Sequence, residues 1–252
     1  MRILVTFAVD AEFAPWQRLR EFRGAAASSL RIFGAEIGGV QVRAVLTGMG
    51  KANARQALSA AFDGPADLCI SAGLAGGLKP SYSIGEILVA RQVIEGPQGP
   101  GVASDEALRT AAADHGARVV DAFLSSGRLI REAAEKRRLS AFADAVEMES
   151  YAILAAASES GIPAVAVRAI SDPCDMNLPY DFERIVDAGG RVQLLGLTGQ
   201  VLRRPHRLPG LIRLGRQSRD AAARLAEFLD AFVGSLALQS SKYELDSAVA
   251  AT

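Results

Sequence analysis

The sequence predicts an α/β fold, a largely parallel β-sheet with helices around it, and three observations lead there. Short apolar runs of strand length alternate with Ala-rich stretches of helical composition. Glycine-rich turns follow several of the apolar runs. The chain has 252 residues, 50% of them hydrophobic and only 6% aromatic. That is enough for one domain with a substantial core built from Ala, Val, Leu and Ile.

Taken in order, Met1–Ala8 reads as a buried strand, because Ile3, Leu4 and Val5 form a continuous apolar run. Val40–Leu46 is a second strand, ended by the turn Thr47-Gly48-Met49-Gly50, and Lys51–Phe62 follows as an Ala-rich helix. Leu68–Ser71 is a short strand broken by Ala72-Gly73-Leu74-Ala75-Gly76-Gly77. Ile87–Ile94 is a strand, and the GPQGPG stretch Gly96–Gly101 is a loop. The helices Asp105–His115 and Arg131–Phe142 flank a strand at Arg118–Leu124. Glu147–Ser158 is a helix, punctuated by Gly161-Ile162-Pro163 before the strand Ala164–Ile170. Ala221–Leu236 closes the domain at about residue 238, and Gln239–Thr252, which lacks periodicity, reads as a tail.

Composition excludes several function classes. Lys+Arg and Asp+Glu balance at 28 each, so nothing global favours nucleic acid. Cys69 and Cys174 are far apart and form no C-x-x-C, the N-terminal apolar run is too short for a secretory signal, and a reducing cytoplasm is the expected setting. No stretch reaches the roughly 20 apolar residues that span a bilayer. His115 and His206 lack ligand-like spacing, so no metal site is expected.

In open α/β sheets ligands bind beyond the carboxyl ends of strands, and the unusual residues fall there. Glu12 follows the first strand, Gly48-Met49-Gly50 the second, the glycine-rich segment the third, and Ser171-Asp172 the strand from Ala164. Each has an ordinary reading when taken alone. Glu12 suits a first helical turn, Asp172 before Pro173 suits an Asx-turn, Gly48 and Gly50 suit a tight turn, and Glu147 suits a helix cap. Carboxyl groups gathered on one rim also suit glycosidic chemistry. A buried acid protonates a leaving group, a second carboxylate activates water from the opposite face, and an ionised carboxylate accepts hydrogen bonds from a diol.

Four motifs, in order over residues 1–175, resemble the purine nucleoside phosphorylase/nucleosidase superfamily, and within it the methylthioadenosine/S-adenosylhomocysteine nucleosidases. They are Thr47-Gly48-Met49-Gly50-Lys51, Gly73-Leu74-Ala75-Gly76-Gly77-Leu78, Val146-Glu147-Met148-Glu149-Ser150 and Arg168-Ala169-Ile170-Ser171-Asp172. The resemblance implies a single-domain, three-layer sandwich with a mixed, largely parallel central sheet. It also implies cleavage of the N-glycosidic bond of an adenine nucleoside without metal or organic cofactor.

By that resemblance, Asp172 hydrogen-bonds N7 and protonates the purine, with Ser171 orienting it. Glu149 holds the ribose hydroxyls with Met148 packed on the sugar, Glu147 supports from behind, and Gly50 contacts substrate. Glu12 activates the attacking water, and the backbone at Ala75 and Gly76 lies flat against the base.

The sequence departs from the pattern in several places. The arginine with which phosphorylases hold phosphate, just before the glycine-rich segment, has no counterpart in Asp67–Ala72. Leu74 stands where nucleosidases carry a small hydroxyl residue. The phenylalanine that stacks the base is missing near Ser126-Gly127, where Leu129 or Ile130 substitutes and Arg128 is a possible anion contact. Water and phosphate therefore both stay open as acceptor.

The loop near Gly96–Ser104 is short, which implies an open 5′ end. Arg191–Arg219 holds seven arginines and no acidic residue, interleaved with leucines, a pattern suited to an anionic membrane surface as well as to a solvated helical pair or a subunit contact. The two features together suggest a lipid-linked nucleoside, and the Gly73–Gly77 run, Glu149-Ser150 after Met148, Asp172-Pro173 followed by Leu178-Pro179, and the stretch from Leu202 to Leu214 resemble the hopanoid-associated branch, which implies adenosylhopane as substrate and a membrane-peripheral location. The alternatives are a methylthioadenosine/S-adenosylhomocysteine or futalosine-type hydrolase on a soluble substrate, and a non-catalytic purine-binding or membrane-associating module. The family resemblance further implies a homo-oligomer, commonly a dimer.

Overall fold

The computed structural model describes residues 1–24, 31–61, 64–179 and 208–250, with side chains left out for 58–61 and 239–250. β1 (Arg2–Phe7) leads into α1 (Asp10–Leu19), followed by β2 (Arg23–Gly24), β3 (Arg31–Ile37), β4 (Val40–Leu46) and α2 (Lys51–Ala61). Then come β5 (Leu68–Gly77), β6 (Ile87–Glu95), β7 (Gly101–Ala103), α3 (Glu106–Asp114), β8 (Arg118–Ser125) and α4 (Ala133–Leu139). β9 (Ala145–Glu147), α5 (Ser150–Glu159), β10 (Ala164–Asp172) and α6 (Leu208–Ala250) complete the chain.

The centre of the sheet is parallel, in the order β4-β1-β5-β10. β3 and β2 extend it antiparallel beyond β4. On the other side, β10 pairs antiparallel with β6, β6 parallel with β8, β8 parallel with β9, and β9 antiparallel with β5. β5, β10, β6, β8 and β9 thus close into a ring, which leaves those strands without a bare edge to pair elsewhere. The sheet is mixed, and its parallel centre carries the four strand ends on which the unusual residues converge.

Helices cover both faces, and alternation along the strands sorts the core between them. Ile3, Val5 and Phe7 of β1 pack with Phe13 and Trp16 of α1, Leu108 and Ala112 of α3, and Leu225, Leu229 and Phe232 of α6. Leu4 faces the other way, toward Ala54 of α2 and Ala152, Ile153, Leu154 and Ala157 of α5. α6 is tied to α1 by polar contacts as well. Arg20 donates to both oxygens of Asp230 (2.6 and 2.9 Å), and the Trp16 indole N–H donates to Asp230 Oδ1 at 3.4 Å.

Four differences from the sequence reading have physical reasons. β5 continues through the glycine-rich segment to Gly77, because that stretch pairs with β10 on one side and β9 on the other. The helix after Val146 starts at Ser150 rather than Glu147, since Ala145–Glu147 is held as a strand between β5 and β8. α1 was anticipated only as a first turn at Glu12, and β2, β3 and β7 were not anticipated, since two are very short and β3 is half exposed and contains Gly34. α6 runs from Leu208 to Ala250, well past the expected limits of 221 and 236 and through most of the expected tail, and residues 239–250 contain neither Gly nor Pro to stop it. Of the Arg-rich segment, 191–207 lies outside the described residues, and the rest forms the start of α6. Among the described residues no helix is long and apolar enough to cross a membrane.

Candidate active site

A cavity of about 360 Å³ opens at the carboxyl ends of β1, β5 and β10. Glu12, Ala75, Gly76, Arg128, Ile130, Glu147, Met148, Glu149, Ser171 and Asp172 all line it, together with Met49, Leu74, Leu129 and Leu178. Leu214 and Ser218 of α6 complete its wall. The volume is in the range of small-molecule sites. The residues singled out in the sequence therefore meet in one place, with Gly50 contributing its backbone N–H to Glu149.

Glu12 is buried in the first turn of α1 and reaches back over the helix start. Its Oε2 accepts from the N–H groups of Ala8 (2.9 Å) and Val9 (3.2 Å), and Oε1 accepts from Leu74 N–H (2.8 Å). The Val9 contact is the carboxylate half of a capping box. The helix-start role and the site role are thus one geometry. Burial raises the Glu12 pKa, opposed by the three backbone donors and the charge of Arg168, and a base of raised pKa is the more able proton acceptor. Leu74 meets Glu12 with its backbone, so the missing hydroxyl leaves this carboxylate anchored. Gly73 is needed for the same fit: a Cβ there would stand 2.9 Å from Glu12 Oε1.

Glu149 is buried beside the turn that follows β4. Thr47 N–H and Gly48 N–H bond to Phe7 O (2.8 Å) and Ala8 O (3.0 Å), clamping the turn onto β1. Gly48 and Gly50 have φ of +82° and +86°, a region that disfavours any other residue. The result aims Gly50 N–H at Glu149 Oε1, 2.7 Å away. Burial, with the nearby charges of Glu147 and Glu12, pushes the Glu149 pKa up to about 8.

Glu147 lies beneath and does two jobs at once. Its Oε2 accepts from the Glu149 and Ser150 N–H groups (3.0 and 2.7 Å), capping α5, and from Arg168 Nη2 at 2.7 Å. Arg168, 2% exposed, also donates to Ser71 O (2.8 Å) and Ser150 Oγ (2.7 Å). Sequence reading quoted Arg168 without giving it a task. An arginine inside an apolar strand was the available signal, since an unpaired guanidinium there would be costly.

Asp172 is placed by a β-bulge. Ile170 pairs with Ala75 and Asp172 with Gly76, leaving Ser171 as the extra residue, and bulges commonly re-aim side chains beside active sites. Ser171 Oγ donates to Asp172 Oδ1 at 2.6 Å and lies 3.2 Å from Ala75 O. A Cβ on Gly76 would stand 3.1 Å from Asp172 Oδ2, so this glycine leaves room for the acid as well as for a flat ligand. Asp172 Oδ2 bonds Lys136 Nζ, a partner not singled out in the sequence. Its spacing from buried Ala133 was the available clue to the inner face of α4.

Ile130 is buried in the small cluster under α4, and Met148 lies on the wall that the cavity shares with a neighbouring hollow. Arg128 sits on the rim, 60% exposed, and pairs with Glu135. Its charge is therefore already matched, which weakens its case as an anion contact.

Residues 2–193 match the model of the Phosphorylase superfamily. A 5′-methylthioadenosine/S-adenosylhomocysteine nucleosidase of Anoxybacillus flavithermus is 26% identical over 212 residues, 74% of this chain and 91% of the relative. The fold is similar to that of the Neisseria meningitidis 5′-methylthioadenosine/S-adenosylhomocysteine nucleosidase solved with methylthio-immucillin-A, at TM-score 0.70, 23% identity and coverage of 93% of this chain and 99% of that one. It is equally similar to a futalosine hydrolase mutant of Helicobacter pylori, at TM-score 0.71, 16% identity and the same coverage. With the family model spanning most of its length, the chain belongs to the Phosphorylase superfamily.

Proposed function

We propose that this protein is a nucleosidase that cleaves the N-glycosidic bond of an adenine nucleoside. One observation carries the reading: Glu12, Glu149 and Asp172, all buried, face a single cavity whose remaining wall is mostly apolar. Asp172 protonates N7 as the C1′–N9 bond breaks. Glu149 accepts from the ribose hydroxyls, and Glu12 takes the proton of the attacking water, as in inverting glycoside hydrolysis. No step calls for a metal or organic cofactor.

Water is favoured over phosphate as acceptor. Arg128 is the cation lining the cavity, and its partner Glu135 already neutralises it. Among the described residues lining the cavity, no further cation stands ready to meet a phosphate dianion entering beside the carboxylates.

The substrate class we favour bears a bulky apolar 5′ group, with adenosylhopane as the candidate. Leu178 and Leu214 line the cavity. On the adjoining surface of α6, exposed Leu208 and Ile212 alternate with Arg213 and Arg216, the pattern of a segment resting on an anionic membrane.

The test incubates the purified protein with adenosylhopane, 5′-methylthioadenosine and S-adenosylhomocysteine, with and without phosphate, and identifies the sugar product. Free sugar at a phosphate-independent rate is expected, and Asp172→Asn should lower adenine release at least hundredfold while keeping a cooperative melt, at a lower temperature because buried Lys136 loses its carboxylate partner. Adenine release by Asp172→Asn at the wild-type rate would sink the mechanism. Cleavage confined to the two soluble thioethers would sink the lipid substrate.

A further inference from the structure

We propose that Lys136 is a positioning residue for the base-protonating step, gripping Asp172 from behind the cavity wall and stabilising the carboxylate that Asp172 becomes on giving up its proton. The inference rests on the reading of Asp172 as the acid.

Lys136 lies on α4, with its neighbours Arg137 and Arg138 exposed and its own side chain fully buried. Lysine is almost never buried without a partner, and three acceptors surround this one. They are Asp172 Oδ2, Pro173 O at 2.9 Å and Met176 O at 3.4 Å. All three only accept, and an ammonium has three N–H groups to give, one more than a neutral amine. The donor count therefore matches the charged form. The two carbonyls belong to the loop after β10, and the same loop holds α4 in place: Asn177 Oδ1 accepts from Ala133 N–H at the start of that helix (2.8 Å). Lys136 is thus carried to Asp172 by a helix that Asp172's own loop caps.

Its stem runs behind the wall against which a base would lie, with Cε 3.6 Å from the Cβ position of Gly76. Lys136 is absent from the cavity lining, so it acts through Asp172 and not on the substrate. Among the described residues, the other charged groups lining the cavity or beneath it are committed elsewhere. Arg168 of β10 is bonded to Glu147, Arg128 of the loop after β8 to Glu135, and Glu12 of α1 and Glu149 before α5 to backbone N–H groups.

In the step itself, the Asp172 proton passes to N7, the C1′–N9 electron pair goes to the leaving base, and a negative charge is left on Asp172. An ammonium already in contact favours that charged product. Without the ammonium, the charge left on Asp172 has no cation beside it, and the proton is given up less readily.

The experiment compares wild type with Lys136→Met and Lys136→Arg, measuring kcat and KM for adenine release across pH on whichever adenine nucleoside the wild type cleaves. Lys136→Met should lower kcat at the optimum roughly tenfold to a hundredfold, leave KM within about threefold, and move the alkaline limb of the profile up by about one pH unit or more. Lys136→Arg, which keeps the charge, should bring the limb back. A purely structural lysine would lower kcat without moving the limb, and a limb that stays put in Lys136→Met overturns the proposal. Should the Met variant fail to melt cooperatively, Lys136→Gln, neutral but still polar, supplies the same readout. A wild type that cleaves no adenine nucleoside sinks the functional reading alone. Thermal melting of Lys136→Met, Asp172→Asn and the double variant then decides Lys136: the double variant should melt no lower than the worse single variant, and additive losses overturn the inference.

Discussion

Gly73→Ala tests how tightly the site depends on its glycine wall. The backbone at Gly73 is not in the left-handed region, so alanine brings no conformational strain, only a methyl group. That methyl would stand 2.9 Å from Glu12 Oε1 and 3.3 Å from its Cδ. Ordinary contact begins at 3.4 Å, so the carboxylate has to retreat by about 0.5 Å, the difference between 3.4 and 2.9. Oε1 is the atom that accepts from Leu74 N–H at 2.8 Å. Moving directly away stretches that bond to about 3.3 Å, beyond the usual range. A hydrogen bond to a charged group contributes about 1.5–3 kcal/mol, and a nucleophile-activating group displaced by a fraction of an ångström costs roughly tenfold to a hundredfold in rate.

The Leu74 contact is also the strongest influence opposing the burial that raises the Glu12 pKa. Losing it should shift the ascending limb of kcat/KM, where Glu12 must be ionised, to higher pH. The assay is adenine release followed by chromatography, with thermal melting alongside and Gly34→Ala on β3, where the methyl meets nothing within 4 Å, as control. A Gly73→Ala enzyme with kcat within about twofold of wild type and an unmoved pH limb would refute the role assigned to Glu12.

Two further predictions concern the buried charges. With the Glu149 pKa at about 8, its ionised, diol-accepting form increases as pH rises through 8, so kcat/KM should climb over that range; Glu149→Gln should lower activity and lose that part of the climb, and a wild-type profile flat from pH 6 to 9 would contradict it. Stability carries the opposite sign. The raised pKa favours folding fully below the ordinary value of 4.5, and that contribution is lost as pH rises through about 8, so Glu149→Gln should gain melting temperature relative to wild type at pH 9 but not at pH 4. Arg168→Met strands the Glu147 carboxylate, whose side chain is 0% exposed, and should cost about 3–5 kcal/mol in urea unfolding, with much of that recovered in Arg168→Met/Glu147→Gln; a loss under about 1 kcal/mol would show that the pair does not hold the floor of the site.

Much of this was legible because strand-end positions carry their own signal. An apolar run of strand length followed by glycine or by an acid marks both a parallel strand and the rim where ligands sit, which is how Glu12, Gly50 and Asp172 came together on paper, while Glu149 was added by the family resemblance of Val146–Ser150. The extents of β5 and α5 were not legible. Whether Ala72–Gly77 is a loop or a strand depends on what lies beside it, and only pairing with β9 and β10 supplies the hydrogen bonds that straighten it. The same limit hid Arg168 and Lys136. Their charges argue for solvent until the partners that neutralise them arrive, Glu147 from 21 residues away and Asp172 from 36.

By itself, then, the sequence determined the α/β class and six of the strands, because these depend on local periodicity, and its motifs singled out the carboxylates through a family resemblance. The tertiary structure alone decided how the site is charged and held. It placed a buried guanidinium under Glu149, a buried ammonium behind Asp172 and a glycine against Glu12. The reason is physical: the ionisation and aim of a buried group depend on what surrounds it in space, and those neighbours are distant in sequence.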